Sequence, residues 1–187
     1  MNILWDFDGT LFDTYPVFTK ILKQIVHPDI SEDNLYAHLK ISFSHTINHF
    51  QLSASQIEAF ISLSNQLPME DFKPFKDVEK ILKYADKNVI MTHSGRKEVL
   101  KILNYYGWEK YFTELVTGDD DFPRKPNPAS YEYLHKKHSI DLAVGDRMLD
   151  IIPAKKIGLK TCLFQNREHG SDYYLNDYKD FFSVING

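Results

Sequence analysis

The sequence lacks the features that mark secreted, membrane-spanning and nucleic-acid-binding proteins. Its single cysteine, Cys162, cannot form an internal disulfide and lies in an apolar run, which favours a reducing cytoplasm. No stretch approaches the roughly 20 apolar residues of a membrane span, and the N-terminus has no basic segment followed by an apolar core. The net charge of -4 gives no support for nucleic-acid binding, which needs a basic face. We therefore expect a cytoplasmic protein that binds neither membranes nor nucleic acid.

What the sequence does contain is enough apolar material for a folded core. Its 187 residues suit one domain, or a modest domain with a small insertion, and 43% of them are apolar. Short apolar runs alternate with helical patterns along the chain. The runs that read as strands are 3–5, 88–92, 114–117, 141–145 and 161–164. Strands that alternate with helices predict an α/β fold, a doubly wound parallel sheet covered on both faces.

The helical pattern between the first two strands is long. From residue 15 to about residue 70, apolar residues recur at helical spacing and no strand is convincing. A block of this length is too long for a simple connection. We therefore predict a small all-helical cap, residues 15–74, inserted into an α/β core that is formed by residues 1–14 and 75–187.

The first strand ends in a short acidic motif, Asp6-Phe7-Asp8-Gly9-Thr10. Alternation along an extended strand places the side chains of Asp6 and Asp8 on the same side. Two carboxylates held so close repel each other, so the site favours a cation. Mg²⁺ suits it, because this hard cation takes oxygen ligands and a substrate phosphate. Gly9 lets the backbone turn sharply away, and the Thr10 hydroxyl can hold that turn in place.

Two simpler interpretations of this motif exist. A calcium-binding loop that starts at Asp6 would need a carboxylate or amide at its fifth position and Glu at its twelfth, where the chain has Thr10 and Val17. That interpretation fails. The other is a solvated acidic turn, which stays open because motifs this short also occur by chance.

The segment Trp5–Leu11 resembles the first signature of the haloacid dehalogenase-like hydrolases, within their phosphatase branch. Segments further along the chain are similar to the three later signatures of that superfamily, in the same order. They are Thr92 at the end of the second predicted strand, Lys125 in Lys125–Pro128, and Val144–Asp150 with its Asp146 and Asp150. Each of these polar clusters lies at the carboxyl end of a predicted strand. In parallel sheets, ligands bind at the carboxyl ends of the strands. The cap's position resembles the subgroup of phosphoglycolate phosphatases and beta-phosphoglucomutases, and the resemblance implies their Rossmann-like core.

The resemblance implies phosphoryl transfer through a covalent intermediate. In the implied mechanism, Asp6 is the nucleophile that becomes an aspartyl phosphate. Asp8 is the acid that protonates the leaving alcohol and the base that activates water. Mg²⁺ is held by Asp6, Asp8 and Asp146, with the backbone carbonyl of Asp8 included and Asp150 in support.

The remaining signature residues also have ordinary structural interpretations. The resemblance implies that Lys125 steadies the nucleophile and that Thr92 hydrogen-bonds a phosphoryl oxygen. Lys125 could instead be a solvated surface lysine, and Thr92 a strand-end hydroxyl. Ser94 is a weaker alternative to Thr92 as the phosphate contact and is better explained as a helix cap. Asp150 could also be a helix-capping residue. Arg147 stands where many relatives have serine, and it either alters the phosphate contacts or points outward.

Substrate choice is expected to fall to the cap, which closes over the site and excludes water. Candidate substrate contacts are Tyr15, Lys40, Ser42 and His45. All four arginines of the chain lie at Arg96 or later, so a cap that grips a second phosphate through arginine is less expected. His45 and His49 lie four residues apart but lack the Glu of a zinc-binding helix, and we interpret them as ordinary polar-face histidines.

The favoured function is a Mg²⁺-dependent phosphatase that hydrolyses a small phosphorylated metabolite, and the subgroup suggests 2-phosphoglycolate. One alternative is a phosphomutase of the beta-phosphoglucomutase type, which would need a diphosphorylated activator and a cap that blocks hydrolysis. Another is a non-catalytic binding module that kept the fold, although such a module has no need of Asp6, Asp8 and Asp146 together. The sequence leaves the oligomeric state open between monomer and homodimer.

Overall fold

A computed structural model describes residues 1–185 of the protein, and the chain divides into two compact units. The first unit comprises Met1–Phe12 and resumes at Pro74, whereas the second comprises Asp13–Lys73. That the second unit serves as a cap stays a prediction. Within residues 1–185, no helix combines the length and the apolar character that crossing a membrane requires.

The first unit is built on a six-stranded parallel sheet. Its strands are β1 (Asn2–Trp5), β2 (Lys87–Met91), β3 (Phe112–Val116), β4 (Leu142–Gly145), β5 (Lys160–Phe164) and β6 (Tyr173–Leu175). Their order across the sheet is β3-β2-β1-β4-β5-β6. The central strands are apolar and buried along almost their whole length, as is typical of a parallel sheet with helices on both faces. This architecture confirms the predicted α/β fold.

β1 lies where the strand order changes direction, with β2 on one side and β4 on the other. The register pairs Trp5 with Ile90 of β2 and with Val144 of β4, so the three strands end at nearly the same level. In open α/β sheets the ligand binds beyond the carboxyl ends of the strands at such a point. The fold therefore brings Asp6, which follows β1, to the same edge as Asp146, which follows β4.

The second unit is all-helical. Its helices are α1 (Tyr15–Ile25), α2 (Glu32–Ile41), α3 (Phe43–Phe50) and α4 (Ala54–Gln66). Serine hydroxyls cap the N-termini of α2, α3 and α4, and at α4 the side chains of Ser53 and Gln56 cap reciprocally. The apolar faces of the helices pack together in a separate core that includes Leu22, Leu35 and Phe60.

The described part of the first unit, up to residue 185, contains five further α-helices. They are α5 (Val78–Tyr84), α6 (Arg96–Tyr105), α7 (Ala129–His138), α8 (Met148–Lys156) and α9 (Phe181–Ile185). Tyr131 and Leu134 of α7, with Ala154 of α8, pack in one core with Leu4 and Val89 of the sheet. α6 and α8 begin soon after β2 and β4 end, so their first turns stand beside the polar residues at that edge.

Candidate active site

The turn after β1 sets the position of Asp6. Gly9 has a φ of 74°, in the left-handed region that favours glycine. The backbone N–H of Leu11 donates to the carbonyl of Phe7 at 3.0 Å, and the chain thereby reverses. The N–H of Asp6 itself donates to the carbonyl of Val144 in β4 at 2.9 Å. Asp6 is therefore fixed to the sheet at its carboxyl edge, directly before the reversal.

Thr10, predicted to hold the turn in place, also contacts the carboxylate of Asp6. Its buried hydroxyl donates to Oδ2 of Asp6 at 3.3 Å. Its carbonyl accepts a hydrogen bond from the hydroxyl of Tyr178 at 2.9 Å. Thr10 thus helps to orient the Asp6 carboxylate while its own backbone is held by the C-terminal part of the unit.

Lys125 lies inside the protein between two carboxylates. Its Nζ is 2.7 Å from Oδ1 of Asp6 and 2.7 Å from Oδ1 of Asp150. The side chains of Lys125, Asp6 and Asp150 are 0%, 1% and 2% exposed, so Lys125 is not a solvated surface lysine. Burial lowers the pKa of Lys125, but the charges of Asp150 and Asp6 raise it by more and hold it above its usual range. The ammonium therefore stays charged inside the site.

Three buried carboxylates form a group around this lysine. Oxygens of Asp6, Asp146 and Asp150 lie within 4.8 Å of one another, close enough to hold a metal ion. Arg147 extends into the group: its guanidinium is 3.5 Å from Oδ1 of Asp146 and 3.8 Å from Oδ2 of both Asp6 and Asp150. The interpretation in which Arg147 points outward is therefore wrong.

The electrostatics of this group favour an added cation. Burial, and then the charge of Asp150, raises the pKa of Asp6 to about 7, while Lys125 and Arg147 act in the opposite direction. Burial also raises the pKa of Asp150, but the charges of Lys125 and Arg147, together with the hydrogen bonds that both residues donate to Asp150, outweigh burial and hold the pKa below its usual range. Three carboxylates thus share two cationic side chains, which leaves negative charge for a metal ion to neutralise.

Asp8 lies outside this carboxylate group. Its Oδ2 accepts a hydrogen bond from the hydroxyl of Ser94 at 2.5 Å. Ser94 is therefore not the cap of α6 that the sequence suggested, and Gly95 holds that position instead. In the first turn of α6, burial and the charge of Asp8 raise the pKa of Glu98 to about 7. Glu98 is a carboxyl group beside Asp8 to which no motif pointed.

Thr92 and His93 follow β2 at the same edge of the sheet. The buried hydroxyl of Thr92 accepts a hydrogen bond from the backbone N–H of Ser94 at 3.1 Å. Nε2 of His93 accepts one from the backbone N–H of Lys125 at 2.9 Å. Burial, with the charges of Lys125 and Arg124, lowers the pKa of His93 to about 3. The imidazole therefore stays a neutral acceptor that positions Lys125, a role that sequence reasoning missed.

The four candidate substrate contacts in the second unit fall into two pairs. Nζ of Lys40 lies 4.6 Å from the ring centre of the nearly buried Tyr15. The hydroxyl of Ser42 accepts the backbone N–H of His45 at 2.9 Å and caps α3. Nε2 of His45 is 2.8 Å from Nδ1 of His38. Each candidate therefore has a partner within its own unit, and contact with a substrate stays a prediction for all four.

Comparison with known proteins gives matches of three kinds. Residues 3–164 match the family described as haloacid dehalogenase-like hydrolase. A phosphoglycolate phosphatase from Vibrio parahaemolyticus is 24% identical over 181 residues, which cover 83% of this chain and 79% of the relative. A pyrophosphatase, PpaX, from Halalkalibacterium halodurans is 30% identical over 103 residues, which cover 53% of this chain and 48% of the relative. The crystal structure of a hydrolase from Streptococcus pneumoniae has a TM-score of 0.67 at 27% identity, over 100% of this chain and 98% of that one.

The family match extends over every segment that carries a signature residue, from Asp6 to Asp150. Together with the phosphatase names of the relatives, it confirms the predicted superfamily and the predicted class of enzyme, a phosphatase. The chain belongs to the haloacid dehalogenase-like hydrolases.

Proposed function

We propose that this chain is a Mg²⁺-dependent phosphatase that hydrolyses a small phosphomonoester through an aspartyl phosphate at Asp6. The observation that carries the proposal is the buried ammonium of Lys125, 2.7 Å from Oδ1 of Asp6 and among three carboxylates. A fixed cation on one oxygen orients the carboxylate and leaves the other oxygen to attack phosphorus. Such an arrangement is costly to bury, which argues for a catalytic rather than a structural purpose.

The oxygen-rich group fits Mg²⁺, a hard cation that prefers carboxylate, carbonyl and water ligands. The proposed ligands are Asp6, Asp146 and Asp8, the last in part through its backbone carbonyl, with Asp150 in support. Burial, and then the charge of Asp150, raises the pKa of Asp6 to about 7, so a bound cation would favour the ionised form that attacks phosphorus. When bound, Mg²⁺ neutralises charge on the phosphate oxygens and keeps Asp6 ionised.

The protein's own residues carry both halves of the proposed reaction. An oxygen of Asp6 attacks phosphorus in line, the bond from phosphorus to the alcohol oxygen breaks, and Asp8 gives its proton to the leaving alcohol. Asp8 then takes a proton from water, whose oxygen attacks phosphorus and releases the Asp6 carboxylate. The Ser94 hydroxyl, 2.5 Å from Oδ2 of Asp8, supports the orientation of this acid and base. Lys125 and the Thr92 hydroxyl are proposed to stabilise the phosphoryl oxygens.

The proposed substrate is a small phosphorylated metabolite, with 2-phosphoglycolate as the first choice because several relatives are named phosphoglycolate phosphatase. Inorganic pyrophosphate is the second choice, because other relatives are named pyrophosphatase. The proposed contacts from the second unit are Tyr15, Lys40, Ser42 and His45. A phosphomutase is less favoured, since residues 13–73 contain no arginine to grip a second phosphate.

Phosphate release from a panel of small phosphate compounds tests this proposal. The purified protein is freed of metal with EDTA and assayed with and without added Mg²⁺ on 2-phosphoglycolate, on other small phosphomonoesters and on the phosphoanhydride pyrophosphate. We expect background turnover after chelation and full recovery with Mg²⁺, because the uncompensated carboxylates repel a phosphate anion. Turnover that survives chelation, or none on any compound with Mg²⁺ present, would contradict the proposal.

Gly145, the last residue of β4, provides a test of the site's geometry. A Cβ atom there would stand 2.3 Å from Cβ and 2.7 Å from Cγ of Asp150. Gly145→Ala is therefore expected to displace the Asp150 carboxylate, and Lys125 with it. We expect kcat for phosphate release to fall about 100-fold, since a displacement of about 1 Å can cost that much.

Gly95→Ala is the matched control for this substitution. A Cβ at Gly95 would meet no atom nearer than 3.6 Å, and the φ of -69° at this position is open to alanine. We expect this control to keep most of the parent's kcat and both variants to keep the parent's circular dichroism spectrum. Equal kcat values in the two variants would show that phosphate release does not depend on the position of the Asp150 carboxylate.

A further inference from the structure

Three histidines of the second unit converge where α2 meets α3. His38 lies in the last turn of α2, and His45 and His49 lie one turn apart in α3. A single residue, Ser42, separates the two helices, ending one and capping the next. The helix α3 thus supplies two histidines one turn apart, and the neighbouring helix α2 supplies the third.

The three imidazole rings are nearly parallel and closely packed. The ring centres of His38 and His49 are 3.7 Å apart, and those of His38 and His45 are 5.0 Å apart. Nδ1 of His38 and Nε2 of His45 are 2.8 Å apart, so one ring donates an N–H hydrogen bond to the other. One nitrogen from each of the three rings lies within 4.8 Å of the other two. The rings therefore present a nitrogen cluster, rather than three separate surface side chains.

These separations are close to those of a metal site. A tetrahedral Zn²⁺ with Zn–N bonds of 2.0–2.1 Å holds its nitrogen ligands about 3.4 Å apart. The nitrogen separations in the cluster range from 2.8 Å to at most 4.8 Å, which brackets that value. The stacked rings must rotate before their nitrogens point at one ion, and the surface position of the cluster leaves room for this, because His49 is exposed and the other two rings are only partly buried. A metal ion would take the place of the proton between His38 and His45.

A fourth aromatic ring packs against the cluster. Phe50 lies edge-on to both His38 and His49, with ring centres 5.1 Å and 4.8 Å away. A metal ligand must be a neutral imidazole, so we expect metal ions and protons to compete for these rings.

We propose that His38, His45 and His49 form a binding site for a divalent transition-metal ion, with Zn²⁺ as the foremost candidate and water as the fourth ligand. Three imidazole nitrogens suit Zn²⁺, Ni²⁺ or Cu²⁺ and are poor ligands for Mg²⁺. The site thus differs in chemistry from the carboxylate group around Asp6. A bound ion links α2 to α3 across Ser42 and makes the helical unit more rigid.

The proposed metal site uses one ring nitrogen of His45. The proposed substrate contact of His45 would then be made by its other ring nitrogen. The proposal does not depend on the proposed phosphatase activity, because its test measures binding rather than turnover.

Isothermal titration of the metal-free, full-length protein with Zn²⁺ tests the site. The same titration is repeated with Asp146→Asn protein in excess Mg²⁺, so that Zn²⁺ bound by the carboxylate group is identified and subtracted. We expect one Zn²⁺ per chain that persists in this variant. Co²⁺ in its place should give the strong visible absorption of a tetrahedral site. Absence of such binding would overturn the proposal.

Variants of the three histidines assign the binding. His38→Gln, His45→Gln and His49→Gln should each weaken Zn²⁺ binding roughly 100-fold or more, since loss of an outer-shell partner alone costs about 10- to 100-fold. His169→Gln, which changes an exposed histidine of the first unit, is the matched control and should bind like the parent. Binding that is unchanged in all three variants would overturn the proposal.

The thermal midpoint gives a second readout. A ligand that binds only the folded state stabilises it, so Zn²⁺ should raise the melting temperature of the parent. The His49→Gln protein is the most informative comparison, because His49 is exposed and glutamine is a good helix former. With excess Mg²⁺ present and Asp146→Asn in both proteins, the His49→Gln protein should melt like the metal-free comparison protein and show no shift with Zn²⁺. An equal shift in both proteins would place the bound Zn²⁺ elsewhere and contradict the assignment.

Discussion

Asp6→Asn is expected to lower kcat for phosphate release roughly 10⁴-fold or more, to the background of the assay. The amide has nearly the shape of the carboxylate and can still accept a hydrogen bond from Lys125, but it cannot attack phosphorus. Removing the nucleophile of a covalent mechanism costs as much as losing the whole catalytic unit. Because the carboxylate is buried and its pKa is raised to about 7, we expect the variant to be as stable as the parent or slightly more so.

The matched control is Asp141→Asn, another aspartate of the first unit. Asp141 precedes β4 at the opposite end of the sheet, where its carboxylate accepts the backbone N–H of Asn2 at 2.7 Å. This variant should keep the parent's kcat. Substantial turnover by the Asp6→Asn protein, with a melting temperature like that of the parent, would show that another group attacks phosphorus.

Lys125→Met is expected to affect both activity and stability. The ammonium bridges two carboxylates that are 1% and 2% exposed, and its removal leaves both buried without their main partner. Breaking a buried ion pair on one side costs about 3–5 kcal/mol of unfolding free energy. We expect kcat to fall roughly 10³-fold, as when a preorganised electrostatic contact is lost. Urea unfolding and phosphate release measure the two effects.

Two further variants show how much of the lost stability of Lys125→Met protein comes from the burial of the ion pair and how much from the unpaired carboxylates. Lys137→Met removes an exposed lysine that lies 3.0 Å from Glu114, and such surface pairs contribute at most about 1 kcal/mol. The double variant Lys125→Met/Asp150→Asn should recover part of the lost stability without recovering activity, because one unpaired charge is gone. If Lys125→Met and Lys137→Met cost the same free energy, Lys125 is not the buried bridge described above.

The backbone of the site could be predicted because it depends on local patterns. The strand that ends at Trp5 and the glycine after Asp8 already indicate a strand followed by a sharp turn. Strands that alternate with helices then place residues 92, 125 and 146 at one edge of a parallel sheet. The family resemblance supplied the expected role of each residue, and the fold brings Lys125 and Asp6 within hydrogen-bonding distance.

The side chains that complete the site could not be predicted, because their roles depend on contacts between distant segments. Ser94 looked like a helix cap, yet its hydroxyl reaches Asp8, which lies 86 positions earlier in the chain. Arg147 had two open interpretations that only the packing of α8 could separate. Asp150 takes part in capping α8, because its Oδ2 accepts the backbone N–H of Arg147 at 3.2 Å. Its Oδ1 contacts Lys125 at 2.7 Å, and its support of a metal ion stays a prediction.

The histidine cluster was missed for a related reason. A sequence motif for metal binding compares residues within one helix, and α3 alone offers only His45 and His49. His38 joins them because the chain turns at Ser42, so that the last turn of α2 lies against α3. Predicting this needs the angle between two helices, which the periodicity of neither helix contains.

The central claim of the account is that Asp6 becomes phosphorylated, and trapping the intermediate tests it most directly. Asp8→Asn protein is mixed with Mg²⁺ and ³²P-labelled p-nitrophenyl phosphate, whose good leaving group needs no acid, and is quenched in acid. Without the base that activates water, the ³²P-labelled phosphoenzyme should accumulate. Borohydride reduces an aspartyl phosphate to homoserine and releases the labelled phosphate, so peptide mapping after reduction should find homoserine at position 6. Homoserine at another position, or phosphate release with no labelled protein at any time, would contradict the account.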